Sequence, residues 1–137
     1  MTTTHQLALL ARKKLDYLFC GVYPLDHLPK TVKLHQHTSL IINTDTANLP
    51  GTHWIAVSLF PNGRGEVFDS FGQPAPPRLQ LWMNKHCVRG WFANKTCIQG
   101  PLTNLCGAYC LFYLYHRLVL KLSMHAIVDK LIYRPDS

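Results

Sequence analysis

Acidic side chains are the scarcest charged class in this chain: 7 Asp and Glu stand against 14 Lys and Arg, a formal net charge of +7 with the 8 histidines neutral. Such a balance suits a polyanionic partner, either nucleic acid or an acidic protein surface. The basic residues are scattered rather than clustered, so a basic protein without such a partner is an open alternative. Long apolar runs are also missing. The nearest approach, Leu105–Leu122, is interrupted by His116, Arg117 and Lys121. It falls short of the roughly 18–20 apolar residues that a bilayer span needs and reads as a core helix. Internal repeats and low-complexity segments are absent, which points away from repeat architectures. The five cysteines, Cys20, Cys87, Cys97, Cys106 and Cys110, are odd in number and lack the spacing of a disulfide framework. With no secretory leader in view, a reducing compartment is the expected setting.

What is present describes one globular domain over residues 1–137, with 47% hydrophobic and 15% charged residues. Leu7, Leu10, Ala11, Leu15, Leu18 and Phe19 recur at helical spacing, predicting a helix over Gln6–Phe19 with Arg12, Lys13 and Lys14 on its solvated side. Gly21, Pro24 and Pro29 then break the chain into a loop. Ser39–Asn43 is a short β run, and Asp45–Gly51 is a polar loop. His53–Phe60 and Gly65–Phe71 alternate around an Asn62-Gly63 turn, a hairpin signal. Pro77 opens a helix through about Cys87, Val88–Ala93 reads as a strand, and Ser123 caps a final helix through about Ile132. The order predicts an α+β fold in which a mostly antiparallel sheet packs on a central helix.

That central helix begins with the chain's most informative stretch, Gln99-Gly100-Pro101-Leu102-Thr103-Asn104-Leu105-Cys106-Gly107. A cysteine at a helix N-terminus meets the positive end of the peptide dipoles, which favours the nucleophilic thiolate. His53, at the start of one hairpin strand, supplies a base. Asp69, near the end of the other, is offset from it by only a few residues across the turn, and a local irregularity would bring the two together. A carboxylate there fixes the imidazole tautomer and leaves the second ring nitrogen for the thiol. Gln99, seven residues before Cys106 on a Gly-Pro loop, can aim an amide N–H at an oxyanion. Each residue also has an ordinary reading: a small core cysteine, as Cys110 is taken to be, a surface histidine or aspartate, a turn glutamine. A His35/His37 pair can bind metal on one face of a strand, but no second cluster at ligand spacing accompanies it; a zinc site from His86, Cys87 and Cys97 is unpromising, and no metal is expected.

Taken together, His53-Trp54, Phe68-Asp69-Ser70-Phe71-Gly72 and Gln99-Gly100-Pro101…Asn104-Leu105-Cys106-Gly107 resemble the adenovirus protease (adenain) family, in the clan of cysteine proteases that includes the ubiquitin-like-protein proteases. The order His, acid, Gln, Cys is the clan's and reverses that of papain, where the cysteine comes first. The seven-residue Gln-to-Cys step is closer to the adenoviral branch. Upstream matches extend the resemblance over about residues 7–118. It implies an adenain-like, permuted papain-like fold and a viral cysteine endopeptidase that cuts capsid and core precursors during virion maturation. His53 would be the base, Asp69 its orienter, Gln99 an oxyanion donor and Cys106 the nucleophile. Trp54 and Gly107 would border a narrow substrate channel, with preference for small or Gly-Gly sites.

The resemblance further implies two possible activators, viral DNA and a viral peptide, with no metal or organic cofactor. Arg12, Lys13, Lys14, Arg89 and Lys95 are the residues singled out for DNA. Cys87, twelve residues before Gln99, falls near the family cysteine that joins the peptide through a disulfide, although a semi-exposed ordinary thiol is an equal alternative. A monomer in the virion and host nucleus, with no membrane association, is the implied setting. Two departures stand out: Asp69 replaces the Glu of mammalian adenoviral enzymes, and most of the region after the catalytic helix, where adenain receives its peptide, has no counterpart. A protease of ubiquitin-like modifiers and an inactive fold serving as a DNA- or capsid-binding module are the alternatives.

Overall fold

The fold comes from a computed structural model, which describes residues 3–33, 36–44, 53–98 and 105–132. The expected polar loop Asp45–Gly51, His35 and the segment from Gln99 to Asn104 lie outside the described residues. The architecture is α+β, as the element order implied. In chain order it runs α1 (Thr4–Leu15), β1 (Phe19–Pro24), β2 (Thr38–Asn43), β3 (Trp54–Leu59), β4 (Gly65–Phe68), α2 (Pro77–His86), β5 (Trp91–Ala93), α3 (Cys106–Leu114) and α4 (Met124–Leu131).

The strands form one sheet in the order β1-β2-β3-β4-β5. Its centre is antiparallel, β2 to β3 and β3 to β4, but both edge pairings are parallel. The sheet is therefore mixed rather than mostly antiparallel. The connections explain this: α2 carries the chain back across the sheet before β5, and such a crossover returns a strand parallel to its predecessor. At the other edge, Phe19–Pro24 is a strand where Gly21 and Pro24 had predicted a loop. β1 pairs on one side only and Pro24 ends it, so the missing proline N–H breaks no ladder bond inside the sheet. The first helix also stops earlier than expected, at Leu15, where Asp16 takes a positive φ of 52°.

Period-2 alternation sorts the strand residues onto two faces, and both are buried. Trp54, Ala56 and Phe68 face α1, α3 and α4, where Leu7, Ala11, Cys110, Tyr113, Leu114 and Ile127 pack with them. Leu40, Ile42, Ile55, Val57 and Val67 face α2 through Leu79, Trp82, Met83 and Cys87. Pro77 sits in the first turn of α2, and the Ser123 hydroxyl accepts from the Ala126 N–H at 3.1 Å to cap α4. One charged group crosses the first core. Glu66, 3% exposed, accepts from the Tyr113 hydroxyl at 2.6 Å and from Arg117 Nε at 2.9 Å and Nη2 at 3.0 Å. Arg117 lies where α3 widens into a π-helical turn, Tyr115–Val119.

Candidate active site

The hairpin brings His53 and Asp69 together. Its turn uses Gly63 at a φ of +87°, a value that favours glycine, and Asn62 Oδ1 accepts from the Arg64 N–H at 3.0 Å. The resulting register pairs Ala56 with Phe68. Continued one step it would set Asp69 opposite Ile55, two residues from His53. The ladder ends before that, at Phe68, and His53 precedes β3. Both side chains thus leave the regular sheet where the backbone is free to turn toward its partner. The outcome is a 2.8 Å contact in which His53 Nε2 donates to Asp69 Oδ1.

The aspartate is held on every side. Its Oδ1 also accepts from the Phe71 N–H at 2.9 Å, and its carbonyl accepts from the Gly72 N–H at 2.8 Å. Its own N–H donates to Asn94 Oδ1 at 2.8 Å, while Asn94 Nδ2 donates back to the Asp69 carbonyl at 2.7 Å. The Phe71 ring lies beside the imidazole. Phe71 and Asn94 are residues that sequence reasoning missed. Phe71 lay inside the quoted Asp-Ser-Phe-Gly segment, and Asn94 stood in what looked like an ordinary polar turn.

Cys106 is the first residue of α3, preceded by Leu105, which makes no side-chain cap. Its thiol is buried at 2% exposure. Burial works against a thiolate, yet the Cys106 pKa lies below the ordinary thiol value. The causes that win are a side-chain interaction with His53, the His53 charge, and backbone N–H groups of Trp54 and Gly107. His53 shows the reciprocal balance. Burial disfavours its charged form, but hydrogen bonding to Asp69 and Cys106, together with their negative charges, raises its pKa to about 9. Since Nε2 is engaged by Asp69, the thiol acts on the Nδ1 side. Nδ1 is buried and has no hydrogen bond of regular geometry among the described residues. His53, Asp69 and Cys106 therefore stand in one electrostatic unit that favours a thiolate–imidazolium pair.

The remaining residues distribute as follows. Trp54 is buried against the site, and a Cβ added at Gly107 would touch its ring and Leu7 at 3.4 Å, so Gly107 lets α3 close on Trp54 and α1. Cys110 is a core thiol whose Sγ donates to the Trp54 carbonyl at 3.4 Å, and its pKa is raised well above the usual thiol value by burial. Gln99 lies outside the described residues. Cys87 is buried at 4% exposure, with burial pushing its thiol up to about 11. This corrects the reading of Cys87 as an ordinary semi-exposed thiol: α2 turns it inward against Gly65. Arg12 lies beside the β1 edge, where it donates to the Phe19 carbonyl at 2.6 Å, and Lys14 borders a cleft with Ala108, Leu111 and Tyr115 of the α3 region. Arg89 and Lys95 flank β5 at the opposite edge of the sheet.

Among the described residues no group of three His, Cys, Asp or Glu side chains converges on a metal position. His86 has both ring nitrogens on carbonyl oxygens, those of Trp82 at 2.9 Å and Lys30 at 3.3 Å, and His37 packs edge-on against Phe60. No described helix is long and apolar enough to cross a membrane.

No protein-family model matches the chain. Known proteins do. The protease of bovine adenovirus C serotype 10 is 27% identical over 72% of this chain and 59% of its own length. That of bovine adenovirus 2 is 28% identical over 55% of this chain and 43% of its own. The cysteine protease of African swine fever virus is 33% identical over 57% of this chain and 33% of its own. The chain thus spans between one-third and three-fifths of the length of these relatives. In fold, one crystal structure of the African swine fever virus protease superposes over 95% of this chain and 61% of that one, with a TM-score of 0.70 at 21% identity. A second superposes over 71% and 39% respectively, with a TM-score of 0.59 at 26% identity. The motif resemblance and the relatives agree: this chain is similar in sequence to the proteases of bovine adenoviruses and to the cysteine protease of African swine fever virus, and shares the fold of the latter.

Proposed function

We propose that residues 1–137 form a single adenain-like protease domain and that its activity is that of a viral cysteine endopeptidase. The observation that carries this reading is His53 held between Asp69 at 2.8 Å and Cys106, with the imidazole pKa raised and the thiol pKa lowered. The Cys106 thiolate attacks the substrate carbonyl carbon, and the carbonyl π electrons move onto oxygen. The Cys106 N–H at the mouth of α3 faces the developing oxyanion, and the Gln99 amide is the proposed second donor. Losing one such donor typically costs about 3 kcal/mol of transition-state stabilisation. The His53 imidazolium then gives its proton to the leaving amine as the C–N bond breaks, leaving a thioester on Cys106. Water, deprotonated by His53, cleaves the thioester and restores the pair. Asp69 holds the ring and offsets its charge throughout.

The proposed substrates are viral capsid and core precursor proteins cut at small or glycine-containing sites during virion maturation. DNA and an activating peptide are proposed as additions to the assay on the strength of the resemblance. The direct test is labelling by a Gly-Gly aldehyde or vinyl electrophile. Wild type should be modified at Cys106, and the Cys106→Ala variant should not. Equal labelling of the two would remove the catalytic assignment.

A further inference from the structure

β4 and β5 pair in parallel as far as Val67 and Ala93, and there the ladder ends. One residue later the pairing is continued by a side chain. The Asn94 carboxamide accepts from the Asp69 N–H at 2.8 Å and donates to the Asp69 carbonyl at 2.7 Å, as a neighbouring peptide group would. The partners fix the amide's orientation, because a backbone N–H needs an acceptor and a carbonyl needs a donor. Its second amide hydrogen reaches the Thr96 carbonyl at 3.3 Å. Asn94 is itself buried, at 8% exposure.

Two further contacts bind the same segments. The Ile98 N–H donates to the Ser70 carbonyl at 2.8 Å. Gly72, at a φ of +67°, lies so close to the 95–97 backbone that a Cβ would come within 2.7 Å of the Thr96 carbonyl carbon and 2.8 Å of the Cys97 nitrogen. The turn after Asp69 and the strap 94–98 are therefore one unit, and the strap runs directly into Gln99. A carboxylate whose backbone is fixed at both N–H and C=O has few ways to turn from its histidine.

We propose that Asn94 is the positioning residue of this site: it locks Asp69 against His53 and, through the same amide, anchors the strap that leads to Gln99. The proposal rests on the protease reading above. Its consequence is electrostatic as well as geometric. The charged and titratable groups facing His53 are Asp69 and Cys106, with Cys110 behind the thiol. If Asp69 swings away, the imidazolium loses its carboxylate and the Cys106 thiolate loses its cation.

The test is the pH dependence of Cys106 alkylation by iodoacetamide in the 137-residue chain, read by peptide mass. Wild type should react at Cys106 at pH values well below the ordinary thiol range, and His53→Ala should lose that low-pH reactivity. A wild-type Cys106 that titrates like an ordinary thiol would overturn the protease reading itself, whatever Asn94 does. With the wild-type profile established, Asn94→Ala and Asn94→Ser should lower the low-pH rate at least tenfold and move the half-maximal pH up by about one unit. Leu79→Ala, a cavity in the core on the opposite side of the sheet, should reduce stability without moving the profile. Folded Asn94 variants with the wild-type profile would overturn the proposal. Should neither variant fold, hydrogen exchange on wild type decides: slow exchange of the Asp69 amide supports the clamp, and exchange at an open-loop rate overturns it.

Discussion

The Phe71 ring lies over the His53 imidazole, with centroids 4.6 Å apart and planes tilted by 35°. The same residue's N–H donates to the Asp69 oxygen that receives His53 Nε2. Phe71 thus holds Asp69 with its backbone and covers His53 with its side chain, and a substitution can separate the two. Phe71→Ala keeps the backbone bond and uncovers the ring to water, which weakens every charge interaction there. The expected result is a roughly tenfold slower modification of Cys106 by a Gly-Gly electrophile, with Phe71→Leu restoring most of it. A Phe71→Ala rate equal to wild type would leave the ring no part in the chemistry.

The two shifted pKa values set a window for activity. His53 rises from 6.5 to about 9 on folding, so it contributes stability that is complete below about pH 6.5 and is lost as pH climbs through 9. Cys106 runs the other way: its contribution is present above the ordinary thiol value of 9.0 and fades as pH falls through its lowered folded value. Between the two lies the thiolate–imidazolium form. Above about pH 9 the thiolate persists but the proton for the leaving amine is gone. Peptide hydrolysis should therefore decline through pH 9 while iodoacetamide alkylation of Cys106 does not. The stability gap between wild type and His53→Ala, on the order of 3 kcal/mol from this titration, should close over pH 6.5–9 in thermal melts.

Much of this site was legible before any coordinates, for reasons that differ by residue. Asn62-Gly63 and the alternation around it announced the hairpin, and the hairpin alone puts His53 within reach of Asp69. Cys106 announced itself at the start of an apolar helix. Proline at position 77 and serine at 123 marked helix starts because each acts on its own local backbone. What stayed hidden depends on residues far apart in the chain. Asn94 touches Asp69 across 25 positions, and the buried Glu66 meets Arg117 across 51. A charge between two apolar strand residues looks solvent-facing until its partner arrives. β1 was missed because Gly21 and Pro24 are penalties inside a sheet and tolerable at an edge that pairs on one side. The parallel return of β5 follows from the α2 crossover, which no local pattern encodes.

The Glu66–Arg117 pair makes a prediction about stability. The Glu66 side chain is 4% exposed and that of Arg117 23%, and the carboxylate receives two guanidinium bonds and the Tyr113 hydroxyl. Arg117→Met strands a buried carboxylate and should cost roughly 3–5 kcal/mol. Tyr113→Phe, which removes one hydroxyl and its bonds to Glu66 and Ser58, should cost about 1–2 kcal/mol. Adding Glu66→Gln to Arg117→Met should recover a large part of the loss, since the stranded charge goes with it. Thermal denaturation of the four proteins decides. A double variant as unstable as Arg117→Met alone would show that packing of the arginine stem, not its charge, ties α3 to β4.

Cys87 bears on how an activating peptide could be attached. A Cβ at Gly65 would fall 2.5 Å from Cys87 Sγ and 2.9 Å from Met83 Cε, so the thiol fills the space that the missing Gly65 side chain leaves between α2 and β4. With its pKa pushed up to about 11, little of it is thiolate near neutral pH. An aromatic disulfide reagent added to the native protein should modify exposed Cys97 quickly and leave Cys87 and the fully enclosed Cys110 unmodified, while all five cysteines react in denaturant. Gly65→Ala should force the thiol aside, lower stability by about 1–3 kcal/mol and speed modification of Cys87. Peptide mapping after a timed quench reads all three. Native modification of Cys87 as fast as that of Cys97 would mean that α2 opens readily and that the buried thiol is within a partner's reach after all. Slow modification means that any disulfide through Cys87 must wait for α2 to lift from the sheet, and its formation rate should then not depend on peptide concentration at saturation.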